Sequence, residues 1–270
     1  LGDNMLSQRW WLWIMPALPL PGGGGDGGNT TADVVVTETV QDTAEADATP
    51  CTLTADISDW YYHIEHLRVF EPAGEDGVLA ETLTSLWNTQ ISKDQLIILF
   101  HVTRFDANAG ELWFEVGSAV KHPNGNYQMV ANPPPEVVKT MIDGCRLLSS
   151  EDGILKVYPD LVTVPIPVVQ LRVDANLTAD GTGILEGGTL TGGICTTDAK
   201  VTNFKLFETQ SGCTNFYKFI SDVGLSPEAT GLSCALGGSD GYAFVGSFDA
   251  RRITNVETGT ITVERTFSCD

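Results

Sequence analysis

At 270 residues the chain can bury a sizeable core, in one large all-β domain or two small ones. Its 35 acidic against 15 basic residues give a formal net charge of -20, a field that repels phosphate backbones and anionic lipid surfaces. Nucleic acid is therefore excluded as an expected partner, and the acidic surface reads first as a means of keeping an exported protein soluble.

Met5 reads as a start, Arg9 as a positively charged leader residue, and residues 10–20 (WWLWIMPALPL) as an apolar run too short and too proline-broken to span a bilayer. Residues 1–21 thus form a signal-peptide-like segment. The alternative is a retained apolar segment that adds itself to a neighbouring subunit, which would make the protein an extracellular filament subunit. No later run is long enough for a transmembrane helix, so no membrane span is expected. Residues 22–50 open with GGGGDGG and continue rich in Thr, Asp, Glu and Ala, a composition that cannot offset chain entropy by burial. They read as an acidic tether ahead of a β-rich domain over residues 51–270, with a sub-boundary near 150–165.

In that domain residues 61–70 alternate as a strand, with Tyr62, Ile64, His66, Arg68 and Phe70 on one face and Tyr61, His63, Glu65, Leu67 and Val69 on the other. Val78, Leu79, Leu83, Leu86 and Trp87 fall at helical spacing and predict a short helix over 77–90. Residues 96–102 form a buried strand. Residues 112–120 and 127–130 flank Asn124-Gly125, whose left-handed preference predicts a hairpin. Three prolines, 133–135, end it ahead of a short helix over 136–142. Pro165 and Pro167 argue for an edge strand. Residues 168–173, 183–195, 201–207, 242–250 and 259–267 repeat the strand-and-turn rhythm, and 216–223 reads as a second helix. The sum is mainly β, an antiparallel sandwich or jelly-roll-like body with one or two short helices.

The cysteines are Cys51, Cys145, Cys195, Cys213, Cys234 and Cys269, with no CxxC pair, so a zinc ribbon or thioredoxin-like motif is excluded and disulfides are expected. Proximity along the chain suggests Cys195 with Cys213, Cys234 with Cys269, and Cys51 with Cys145. Such bonds place the protein in an oxidising compartment, periplasm, cell surface or medium.

The glycine-rich stretch after an apolar leader, Tyr62-x-Ile64-x-x-Leu67-x-Val69, residues 83–87, Gln95-Leu96-Ile97-Ile98-Leu99, Leu177-Thr178-Ala179-Asp180-Gly181 and Gly188-Thr189-Leu190-Thr191-Gly192-Gly193 together resemble exported lipoproteins of myxobacteria and related groups. The likeness covers most of the mature chain and implies location and architecture rather than chemistry. It departs from the lipoprotein pattern in having no cysteine after the leader until Cys51.

Several residues invite a chemical reading. Gly237-Gly238-Ser239-Asp240-Gly241 matches the nucleophile-elbow pattern, but residues 242–245 read as strand and no histidine lies C-terminal to Ser239, so a glycine-rich loop is the plainer reading. His63 and His66 would share a face on a helix; on the predicted strand they point apart. His101 reads as a hydrogen-bonded strand residue. Asp174 and Asp180, in acidic loops, are the calcium candidates, without EF-hand spacing. Trp60, Tyr61, Tyr62 and Trp113 could form a sugar-stacking platform or pack the sheet. No nucleophile, acid and base fall into one set, so the leading expectation is a secreted or cell-surface binding or structural protein that recognises a surface glycan or a protein. The alternative enzyme is a secreted hydrolase acting on glycans through paired carboxylates.

Overall fold

The computed structural model describes residues 52–159, 162–205, 211–263, 267 and 269. The expected leader over 1–21, the tether over 22–50 and Cys51 lie outside the described residues. In chain order the elements are β1 (Tyr61–Glu71), α1 (Val78–Ser92), β2 (Ile98–Asp106), β3 (Glu111–Lys121), β4 (Tyr127–Val130), β5 (Glu136–Asp143), β6 (Arg146–Ser149), β7 (Gly153–Val157) and β8 (Ile166–Asn176). They continue with β9 (Gly183–Cys195), α2 (Thr196–Val201), β10 (Asn203–Phe204), β11 (Thr214–Asn215), α3 (Phe216–Asp222), β12 (Gly241–Ile253) and β13 (Val256–Ile261).

The molecule is mainly β, as expected, but its sheet closes on itself instead of stacking on a second sheet. Eight antiparallel strands run in the order β1-β2-β3-β5-β6-β8-β9-β12, and β12 returns to pair with β1. Barrel neighbours are neighbours in chain order, an up-and-down arrangement. A sandwich and a barrel use the same alternating strands. What closes this one is the pairing of β1 with β12, which joins segments far apart in sequence.

The interior is filled. Tyr62, Phe100, Phe114, Phe244 and Phe248 are each at most 2 % exposed, and Phe100 packs on Phe114 and Phe248 with ring centroids 5.7 and 5.6 Å apart. Eight strands enclose a bore that side chains of this size occupy completely. At one end α1 and α3 form the plug: Trp87 meets Phe244 at 6.1 Å, and the space between Leu83, Trp87, Phe204 and Phe216 is only about 10 Å³. At the other end residues 52–60 cross the mouth. There Ile57 is fully buried and the Tyr62 hydroxyl donates to the Gly181 carbonyl at 2.7 Å. Gly181 has φ +73°, and a Cβ there would lie 2.7 Å from Ile57, so both its conformation and its neighbour require glycine.

α1 begins and ends within two residues of the predicted helix, burying Leu79, Leu83, Trp87 and Ile91. It also completes the sheet. β2 pairs with β1 only at residues 61–63, which leaves the later backbone of β1 without a strand on that side. Asn88 fills the gap, its Oδ1 accepting from Leu67 N–H and its Nδ2 donating to Leu67 C=O, both at 2.9 Å; Thr84 Oγ1 accepts from Val69 N–H at 2.9 Å. Buried backbone groups must be paired, and here side chains of a helix replace a strand.

Four local expectations change. In β1 a bulge between Ile64 and His66 reverses the alternation, so Tyr62 and Ile64 point inward, and then Leu67 and Val69. Residues 136–142 are strand β5, not helix: its valines, threonine and isoleucine favour extended backbone, and Val138 and Thr140 alternate inward. Pro167 lies in β8, which is no edge strand, at a point where it pairs with β7 before pairing with β9 begins at Val169. Of the expected strand over 201–207, the described residues 201–205 hold the end of α2 and the two residues of β10. The hairpin of β3 and β4 forms, but through a five-residue loop: Gly125 N–H donates to His122 C=O and His122 N–H to Asn126 C=O, both at 2.8 Å, and within the loop only Gly125 has a positive φ.

β4 continues past the barrel and pairs in parallel with β13, laying a second layer over the outer wall. Beneath it Ile97, Leu99, Ala119, Tyr127 and Met129 form a small separate cluster.

The disulfides differ from the proximity guess. Cys195 bonds Cys234 and Cys213 bonds Cys269. The loop ahead of β12 folds back over the end of β9, where Leu232 sits against Gly193 and Gly241, and this brings Cys234 to Cys195. Cys145 is also disulfide-bonded, and its expected partner Cys51 lies outside the described residues.

Candidate functional site: a polar cleft on the barrel wall

With the bore filled and both mouths covered, exposed chemistry lies on the outer wall. There an open cleft of about 560 Å³ is lined by Glu65, His66, Thr178, Thr182, Asp249, Arg251, Arg252 and Thr254. Two ladder irregularities meet at it. The β1 bulge turns Glu65 and His66 outward together, and a second irregularity between Phe248 and Ala250 offsets β12 against β9. Bulges re-aim side chains, and here they gather groups that regular alternation would separate.

The β8–β9 turn supplies the far wall, rigidified by Asp180. Its Oδ1 accepts from the hydroxyls of Thr178 and Thr182 at 2.6 and 2.8 Å and from Thr182 N–H at 3.0 Å. Those hydrogen bonds hold the Asp180 carboxyl at a pKa of about 2. Arg252 Cζ lies over Trp60, 3.4 Å from the ring centroid, a cation–π contact that holds the guanidinium at the rim. Arg251 Nε is 3.7 Å from Glu65 Oε1 in an exposed pair, so both groups remain able to exchange partners. The cleft thus presents guanidinium donors beside carboxylate and threonine-oxygen acceptors.

The residues singled out from sequence lie elsewhere, except for His66 in the lining and Trp60 and Asp180 beside it. His63 and His66 do not point to opposite faces: the bulge turns both outward, yet His66 lines the cleft while His63 is covered by the second layer, its ring 5.3 Å from Tyr127. Burial pulls the His63 imidazole below its ordinary 6.5; Asp94 and Glu65 act in the opposite direction, and Lys121 adds to the lowering. His101 is hydrogen-bonded, as expected: Nδ1 lies 3.3 Å from Glu115 Oε2, and the ring stacks on Tyr61 at 4.1 Å. Asp174 is held by Arg146 through contacts of 3.0 and 2.7 Å, and Asp180 by its threonines. Among the described residues no group of three His, Cys, Asp or Glu side chains is placed to hold a metal ion. Ser239 precedes strand β12, so the strand-turn-helix context of a nucleophile elbow is missing. The aromatic set is dispersed: Trp60 lies under Arg252, Tyr61 on the outer wall, Tyr62 in the core, and Trp113 beneath Arg104 and Lys139.

Glu65, Asp249 and Arg251 were not singled out from sequence. The pairing of β1 with β12 makes the cleft, and no local pattern carries it. No known protein family, curated protein or solved structure matches the chain.

Proposed function

We propose that this is an exported, non-catalytic binding protein of the cell surface or periplasm that holds a surface glycan in the cleft between β1, β12 and the β8–β9 turn. The observation that carries the reading is the convergence of two ladder irregularities on an open polar cleft, in a barrel whose bore is filled and capped. Sugar hydroxyls both donate and accept, and a surface of guanidinium, carboxylate and threonine hydroxyl groups offers the matching partners side by side. Disulfides support an oxidising compartment, and the likeness to exported lipoproteins supports the same placement. The test is binding of the full chain to an array of bacterial surface glycans, repeated with Arg251→Ala and Asp249→Asn. At least a tenfold loss in both variants is expected; binding unchanged by either, or binding to no glycan, overturns the reading.

A hydrolase acting on glycans is the second reading, favoured by the presence of Glu65 and Asp249 in one cleft. Release of reducing sugar from a bound glycan, abolished by Glu65→Gln while binding persists, would establish it. Intact glycan after prolonged incubation removes it.

A further inference from the structure

Given the proposal above that the cleft holds a glycan, we infer that this glycan carries a single uronic-acid residue in an otherwise neutral chain, and that Arg252 binds its carboxylate. Arg252 is held from two sides. Its N–H donates to Thr182 C=O at 2.8 Å, which ties this end of β12 to the β8–β9 turn, and its Cζ lies 3.4 Å from the centroid of Trp60. Trp60 is itself fixed, its N–H donating to Ile57 C=O at 3.1 Å and its C=O accepting from Val102 N–H at 2.8 Å. At 3.4 Å no N–H fits between Cζ and the ring, so the guanidinium donors are left for another acceptor. No carboxylate among the described residues takes them. Glu65 goes to Arg251 at 3.7 Å, and Asp180 Oδ1 is filled by Thr178 and Thr182. Arg104, Arg146 and Arg172 each meet a carboxylate at 2.8 Å or less, yet a chain with 35 acidic residues leaves this guanidinium without one.

The charges choose the ligand. A free, planar guanidinium takes a carboxylate through two parallel N–H···O bonds, a match that a sugar hydroxyl does not offer. A phosphate monoester carries up to about twice the charge, which one guanidinium leaves half unmatched. The formal excess of -20 limits how many carboxylates the ligand can bring, because it repels a polyanion before any contact forms. The other end of the cleft suits neutral sugar. Asp249 stands opposite His66 in the β1–β12 ladder, three residues or about 10 Å along β12 from Arg252, and makes no ion pair among the described residues. Its carboxylate accepts from sugar hydroxyls and repels a second acidic residue placed there.

The test uses the full chain on an array of bacterial surface glycans in two forms. One is native; in the other, carbodiimide activation and borohydride reduction turn each uronic acid into its neutral sugar and keep every linkage. Binding is expected to native glycans with one uronic acid per repeat, and to weaken at least about tenfold on reduction. Arg252→Gln should bring native glycan down to the affinity of the reduced form and leave the reduced form unchanged. Because reduction alters the ligand and not the protein, it tests the carboxylate without any variant. Binding that survives reduction undiminished overturns the inference and leaves the glycan reading in place. Binding to neither form overturns both. Native binding unchanged in an Arg252→Gln variant that keeps the thermal midpoint of the parent overturns the assignment to Arg252.

Discussion

The bore of the barrel and the layer beneath β4 and β13 are built from the same residue types and closed by different means. The bore is surrounded by a continuous antiparallel ladder, and its rings touch on all sides. The outer layer is covered by one strand of four residues and another of six, and it includes a buried histidine, His63, whose Nε2 has no hydrogen-bond partner among the described residues. A group of that kind costs about 1–3 kcal/mol. The bore therefore sets global stability, while the outer layer opens first, as a local event with its own free energy.

Removing a ring from the bore should break the molecule as a whole. Phe100→Ala is expected to cost about 3–5 kcal/mol, seen as a fall in the urea midpoint and loss of amide protection in every barrel strand. Met129→Ala, beneath β4, should cost less and strip protection from β4 and β13 alone; a global effect of equal size would erase the distinction. Opening the Cys195–Cys234 bond by replacing both residues with alanine should cost about 2–4 kcal/mol in thermal denaturation, because it frees the loop that closes over the end of β9. Asn88→Leu, which strands the paired N–H and C=O of Leu67 while keeping side-chain bulk, should cost about 1–3 kcal/mol.

The smallest effect depends on pH. The folded state holds His63 below its ordinary 6.5, so between those two values the unfolded chain binds more protons and stability falls with acidification. Amide protection factors in β4 and β13, taken relative to the intrinsic exchange rate at each pH, should fall as pH drops below about 6.5, and His63→Phe should flatten that profile. The His63→Phe variant, and not the wild-type curve alone, decides.

Most strands and the helix α1 were legible because each writes its own period. Residues 96–102 and 242–250 are apolar where the wall faces inward, and Leu83 and Trp87 fall four apart where the helix meets the core. The prolines at 133–135 misled because they mark where a segment starts and leave its conformation open, strand or helix alike. The bulge at Glu65 was invisible, since an inserted residue is defined only against its partner strand. For the same reason the cleft was out of reach: Glu65 and Asp249 become neighbours only when the barrel closes. The pairings expected for Cys195 with Cys213 and for Cys234 with Cys269 failed likewise, because the return of the loop over β9 is set by Leu232 packing on Gly193 and not by distance along the chain.

The closing ladder joins β1, the first strand of the barrel in the chain, to β12, the last. Contacts of such long sequence separation raise the contact order and slow the search for the native state. They also impose an order on synthesis. A nascent chain that has not yet delivered Gly241 holds seven of the eight barrel strands with β1 and β9 both unpaired along one side, and those are the edges on which chains template one another into aggregates. Chaperone engagement and passage across a membrane in extended form are thus compatible with this topology, since the barrel closes only when its last strand arrives.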